Sequence, residues 1–100
     1  MTIVMKMHSI RGEIVLSAAD YDLVGKEIRD GKLHLKVARE FYGDVSVSRE
    51  TYVSSLKMCT IANLVGRETV GIAIEEEIID PENVIEIGGV PHAQYASLNL

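Results

Sequence analysis

Hydrophobic and polar positions alternate most clearly over Lys32-Leu33-His34-Leu35-Lys36-Val37, where the period is two. The pattern predicts a strand with Leu33, Leu35 and Val37 on one face and Lys32, His34 and Lys36 on the other. Two earlier runs, residues 2–8 and 13–19, are rich in β-branched and apolar residues and also read as strands. They are joined by the short Gly-containing link Ser9-Ile10-Arg11-Gly12, which predicts an antiparallel hairpin. In the second run Ile14, Leu16 and Ala18 alternate with Glu13, Val15 and Ser17, a set polar enough for solvent only in part. Asp20 is placed to cap a single helical turn that stops at Gly25.

After the turn signal Gly43-Asp44, Ser48 is an N-cap candidate with Glu50 in the first turn. Tyr52, Val53, Leu56, Cys59, Ile61 and Leu64 then predict a helix from Ser48 to about Val65, broken by Gly66. A second helix is expected from about Arg67 to Ile78, with Val70, Ala73, Ile74 and Ile78 on one side and Asp80-Pro81 ending it. Val84 to Ile87 reads as a short strand, followed by the turn Gly88-Gly89-Val90-Pro91. The order strand, strand, strand, helix, helix, strand gives an α+β fold: a mainly antiparallel sheet with two helices on one face. Residues 1–94 form the expected domain and 95–100 a C-terminal tail.

A chain of 100 residues with 47% apolar content fits one domain with a modest, mostly aliphatic core, since Trp is absent and Phe41 is the only Phe. The single cysteine, Cys59, excludes an internal disulfide and points to a reducing, cytoplasmic setting. The first residues, Met-Thr-Ile-Val-Met-Lys-Met, lack the organisation of a signal peptide, and no apolar run approaches the roughly 18 residues of a membrane span. The formal net charge of −5 excludes a uniformly basic nucleic-acid binder but leaves room for a local basic patch.

Several segments follow one another in a familiar order: Leu23-Val24-Gly25-Lys26, Glu40-Phe41-Tyr42-Gly43, Thr60-Ile61-Ala62-Asn63-Leu64-Val65-Gly66, Ile79-Asp80-Pro81-Glu82-Asn83-Val84 and Ile87-Gly88-Gly89-Val90-Pro91-His92-Ala93-Gln94. Together they resemble a small, mostly archaeal family known as a domain of unknown function. The resemblance spans the first strand to about Gln94, and its last segment is the most specific. It implies an archaeal cytoplasmic protein of about this size and supplies no activity, cofactor or catalytic residue.

Three sets of residues could carry function. In Gly88-Gly89-Val90-Pro91-His92, paired glycines let the backbone take positive φ and offer N–H groups to an anion, while His92 could move a proton. The plainer reading is a tight turn with His92 as a surface or capping residue. Cys59 reads as a small buried hydrophobe in mid-helix rather than a nucleophile, and Asn63 as a cap for the reversal at Gly66 or a group pointing at the Gly-Gly loop. No metal set is expected, because His8, His34 and His92 lie far apart without ligand spacing, and no cofactor motif occurs.

The charge layout is lopsided. Lys26 to Arg39 holds five bases against two acids, whereas Arg67 to Glu86 holds seven acids against one base. Lys32, His34 and Lys36 form a ridge that could follow a phosphate backbone or meet an acidic protein surface, including that of a second copy. It could also be a solvated face that blunts a sheet edge.

Two functions follow. The first is a non-enzymatic intracellular binding module that contacts RNA, or an RNA-bound protein, through Lys32, His34, Lys36 and the Gly88, Gly89, His92 loop. The alternative is a small enzyme at the Gly88-Gly89 loop, with His92 as acid or base and Asn63 as orienting group.

Overall fold

The computed structural model describes residues 2–97. The chain opens with β1 (Ile3–Ile10) and β2 (Glu13–Asp20), paired antiparallel from Ile3↔Asp20 to Ile10↔Glu13. Both turn residues between them, Arg11 (φ +51) and Gly12 (φ +82), are left-handed, as a two-residue type I′ turn requires. The expected hairpin is therefore present. Asp20 is followed by a 3-10 turn, Tyr21–Leu23, but its side chain does not cap that turn.

Next come β3 (Glu27–Asp30) and β4 (Leu33–Lys36), which form a separate two-stranded ribbon. β3 had no signature in the sequence, since Ile28 is its only apolar residue. The short α1 (Arg39–Tyr42), likewise unforeseen, leads to β5 (Ser46–Val47).

Ser48 caps α2 (Arg49–Met58) as expected, its Oγ accepting from the Thr51 N–H at 3.1 Å. The helix then stops seven residues short of the expected Val65. Cys59 is extended, and Ile61–Val65 is the strand β6 rather than a helical end. Thr60 fixes that start: its N–H donates to the Ile14 carbonyl, and its hydroxyl accepts from the Ile14 N–H. β6 is central, with Ala62 and Leu64 in the helix-side core and Val65 in the core beneath the ribbon, so its apolar residues do not alternate as in a half-wet strand; Asn63 is its one polar residue.

α3 (Arg67–Glu75) follows at once. It ends before the expected Ile78, through Glu77 at φ +60 and bonds from the Ile78 and Ile79 N–H groups to the Ala73 carbonyl. Asp80 does not terminate this helix. It caps the next turn, Pro81–Asn83, by accepting from the Glu82 N–H at 2.9 Å. β7 (Ile85–Ile87) and β8 (Val90–Ala96) close the chain as a hairpin. β8 was expected to be a turn and a tail. It is a full strand, so Tyr95 and Ala96 of the expected 95–100 tail lie in the sheet, while 98–100 fall outside the described residues.

The main sheet has the order β5-β1-β2-β6-β8-β7. All neighbours are antiparallel except β2 and β6, which run parallel from Val15↔Ile61 to Ala19↔Val65. The fold is α+β, and the sheet is mainly antiparallel.

One face carries Ile3, Leu16, Ala18, Ala62, Leu64 and Ala93 into a core with Tyr52 and Leu56 of α2 and Val70, Ile72 and Ala73 of α3. The other carries Val4, Ala19, Val65 and Ile87 into a smaller core with Leu35, Val37 and Tyr42, edged by Leu23, Val24 and Ile28. Two helices do cover one face, as expected. The ribbon and α1 cover much of the other.

Candidate functional site

The ribbon is amphipathic because its register pairs like with like. Ile28 faces Leu35 across the strands and both pack inward, whereas Arg29 faces His34 and Glu27 faces Lys36 on the outer surface. Lys32 stands at the tip, in a two-residue turn whose first position is Gly31 at φ +62. Leu33, grouped with Leu35 and Val37 by its alternation, remains 47% exposed near that tip. The outer face thus carries Arg29, His34 and Lys36, with Glu27 among them. The Glu27 carboxylate lies 3.7 Å from Arg29 and 3.4 Å from His34.

The ribbon is fastened at the Gly88-Gly89 turn. Both glycines have positive φ, +56 and +79, which matches a type I′ turn between β7 and β8. The Gly88 N–H donates to Asp30 Oδ2 at 3.1 Å, and a Cβ on Gly88 would sit 2.8 Å from the Ile28 methyl. Gly88 therefore serves the docking of β3, and its N–H is already engaged. The Gly-Gly turn thus meets β3 through Ile28 and Asp30, on the side of the ribbon opposite the ridge.

His92 and Asn63 lie elsewhere. Both point to the ribbon-side face, because His92 pairs with Val65 and Asn63 with Gln94. Asn63 does not cap Gly66; its Oδ1 accepts from Gln94 Nε2 at 3.0 Å. His92 Nδ1 is buried without a protein hydrogen bond, and burial holds the imidazole below its ordinary pKa of 6.5, an effect partly offset by the Leu64 backbone. Cys59 follows α2 rather than lying in mid-helix. Its buried thiol donates to the Leu56 carbonyl at 3.2 Å, and burial pushes its pKa up, the setting of a packing residue. Among the described residues no group of three or more His, Cys, Asp or Glu is placed to hold a metal ion.

Sequence reasoning missed a crevice of about 260 Å³ lined by Asp20, Asp22, Leu23, Arg67, Gly89, Val90 and Pro91. It lies at the carboxyl ends of β2 and β6, the parallel pair, where α3 begins. Asp20 is 8% exposed. Its carboxylate accepts from the Glu68 N–H (3.2 Å), the Thr69 N–H (2.9 Å) and the Thr69 hydroxyl (2.7 Å). Gly66, at φ +111, lies so close that any Cβ would overlap that carboxylate. The available signal was charge directly after a buried apolar run, in Ala19-Asp20-Tyr21-Asp22 and in Val65-Gly66-Arg67. In open α/β sheets ligands gather at the carboxyl ends of parallel strands, and this sheet has one such pair.

The sequence's electrical asymmetry is partly cancelled in space. Arg49 of α2 lies 2.7 Å from Glu75 and 3.8 Å from Glu76, and Lys57 lies 3.7 Å from Glu76. The hydrogen bond to Glu75 raises the Arg49 pKa further. At the basic end, among the described residues, Glu27 lies against Arg29 and His34 and Asp44 lies 3.5 Å from Arg39, while Lys26, Lys32 and Lys36 take part in no ion pair.

An α+β domain with one parallel strand pair and a basic ribbon laid across its sheet is the class that fold and site define. Within that class the chain belongs to the DUF424 family, proteins of unknown function, whose model matches residues 8–98. It is also similar to a solved structure described as an uncharacterized conserved protein from Methanopyrus kandleri. The two share 19% identity and a TM-score of 0.81, over 100% of this chain and 96% of that one. That likeness shows the fold. No curated protein matches. No helix among the described residues is long and apolar enough to cross a membrane.

Proposed function

We propose that the domain is a non-enzymatic binding module whose contact surface is the outer face of the β3–β4 ribbon, and that its partner is RNA, held through the phosphate backbone. The observation that carries this reading is the cross-strand register. It gathers Arg29, His34 and Lys36 from two strands onto one exposed face with Lys32 at the tip, while Ile28 and Leu35 anchor the opposite face in the smaller core. A ribbon held from beneath presents its charges without ordering a loop on binding, which lowers the entropic cost of association. Phosphate contacts of this kind position a chain but read no sequence.

The test is a salt titration of RNA affinity. In Lys32→Gln/Lys36→Gln the slope of log affinity against log salt should fall by roughly 0.7 for each phosphate of a single strand that is no longer neutralised. Glu27→Gln, which removes the one acid on that face, should tighten binding at low salt. Glu50→Gln, on α2, should do neither. Wild-type protein with no salt-dependent RNA binding, or a double Lys variant that binds as well as wild type, rejects RNA as the partner. Retained binding of acidic proteins by the same surface would then reassign it.

A further inference from the structure

We propose that the crevice at the carboxyl ends of β2 and β6 binds a free α-amino acid with an apolar side chain. This proposal is independent of the ribbon.

The start of α3 is not itself an anion seat, because Asp20 already accepts from the Glu68 and Thr69 N–H groups. That buried carboxylate makes the floor negative. Two further charges of opposite sign border the same space, Asp22 and Arg67, and both residues are exposed. Neither takes part in an ion pair among the described residues, although other exposed charges such as Arg39 and Asp44 do. Opposite charges that share a wall without bridging each other leave room for a molecule carrying both signs.

Such a ligand would place its carboxylate on the Arg67 guanidinium, which suits a two-pronged acceptor. Its ammonium would lie toward Asp22 and Asp20. Leu23, Val90 and Pro91 offer the apolar wall for a side chain. A volume of about 260 Å³ falls just below the usual range for drug-sized ligands, so the occupant is small. Inorganic phosphate or another simple anion satisfies Arg67 but is repelled by the two carboxylates. A simple amine has the converse fault.

The experiment titrates L-leucine into the full chain and follows backbone amide resonances. Saturable shifts are expected at Leu23, Arg67 and Gly89. Leucinamide, which lacks the carboxylate, and N-acetyl-leucine, which lacks the ammonium, should each bind at least about tenfold more weakly, as for loss of one charge-assisted hydrogen bond. Arg67→Gln should erase the preference for leucine over leucinamide, and Asp22→Asn the preference over N-acetyl-leucine. Both positions are exposed, so both variants should keep the wild-type spectrum elsewhere. Lys32→Gln/Lys36→Gln should bind leucine as wild type does, which separates this site from the ribbon. The proposal is overturned by any of three results: no saturable shift up to about 10 mM leucine, equal affinity for the singly charged analogues, or inorganic phosphate binding at least as tightly as leucine.

Discussion

The two faces of the main sheet are closed by different means. On the helix side α2 and α3 lie over Leu16, Ala18, Ala62 and Leu64, and among the described residues the buried side-chain polar groups there are partnered. Asp20 binds Thr69, the Tyr52 hydroxyl donates to the Thr69 carbonyl at 2.7 Å, and Ser55 donates to the Thr51 carbonyl. On the ribbon side the cover is a four-residue helix and two four-residue strands. Both buried side-chain atoms without a protein partner among the described residues, Ser17 Oγ and His92 Nδ1, lie on that side. A face selected only to hold the fold would have no use for them, because an unpaired buried polar group costs free energy that an alanine or valine would not. The helix face is the foundation. The ribbon face tolerates imperfect packing and carries the basic ridge, whereas Arg49 and Lys57 on the helix side pair with Glu75 and Glu76; such a division is expected when function sits on one side of a scaffold.

Substitutions at four positions test that division. Leu64→Ala, on the helix side, should have the largest effect: global destabilisation by about 3 kcal/mol, measured by denaturant unfolding, with the unfolding transition still cooperative. Gly88→Ala should cost about 1–3 kcal/mol through backbone strain, and the added methyl would meet Ile28. Its signature should be local, with faster amide exchange across Glu27–Lys36 and little change in β2 and β6. Equal acceleration in both regions would show that the ribbon is part of the foundation after all.

His92 gives a smaller, pH-dependent effect. Its folded pKa lies below the unfolded value of 6.5, so the unfolded chain takes up the proton first. Its contribution should be complete above about 6.5 and decline as the pH falls toward the lower folded value. Thermal melts of His92→Gln should lack that part of the acid slope. Ser17→Ala should be the mildest change, within about 1 kcal/mol and in the stabilising direction, because the hydroxyl gives up no protein hydrogen bond. A larger loss in calorimetry would mean that Ser17 is satisfied in solution and the two faces are more alike than they look.

The parts that were legible in the sequence are those set by local chemistry. The β1–β2 hairpin follows from its Arg11-Gly12 turn, the start of α2 from Ser48, and the inward face of β4 from the alternation of Leu35 and Val37. Illegible parts depend on distant partners. Ile61–Val65 continues the helical spacing of Leu56 and Cys59, and only burial on both sides makes it a strand. β3 shows one apolar residue, so its existence depends on β4 and the Gly88 turn. Asp20 reads as a cap for the turn beside it, whereas it serves a helix 48 residues further on. The ridge was legible because alternation is local, and its neutralising Glu27 was not. The crevice was invisible because it gathers Asp22, Arg67 and Pro91 from three separated segments.

The parallel ladder between β2 and β6 also orders events in time. Three hairpins, β1–β2, β3–β4 and β7–β8, each close over two residues and can form early. The β2–β6 ladder starts with Val15 against Ile61, so it must close a loop that already contains the ribbon, α1, β5 and α2. Loop closure of that length precedes any reward from the pairing it permits, and such long-range pairing is intrinsically slow. The seam between β2 and β6 is therefore the expected rate-setting step, and substitutions there should slow folding more than substitutions in the three hairpins. Loosening the Thr60–Ile14 bonds, in the two-residue connection Cys59–Thr60 between α2 and β6, should change the speed of assembly before it changes anything visible in the finished molecule.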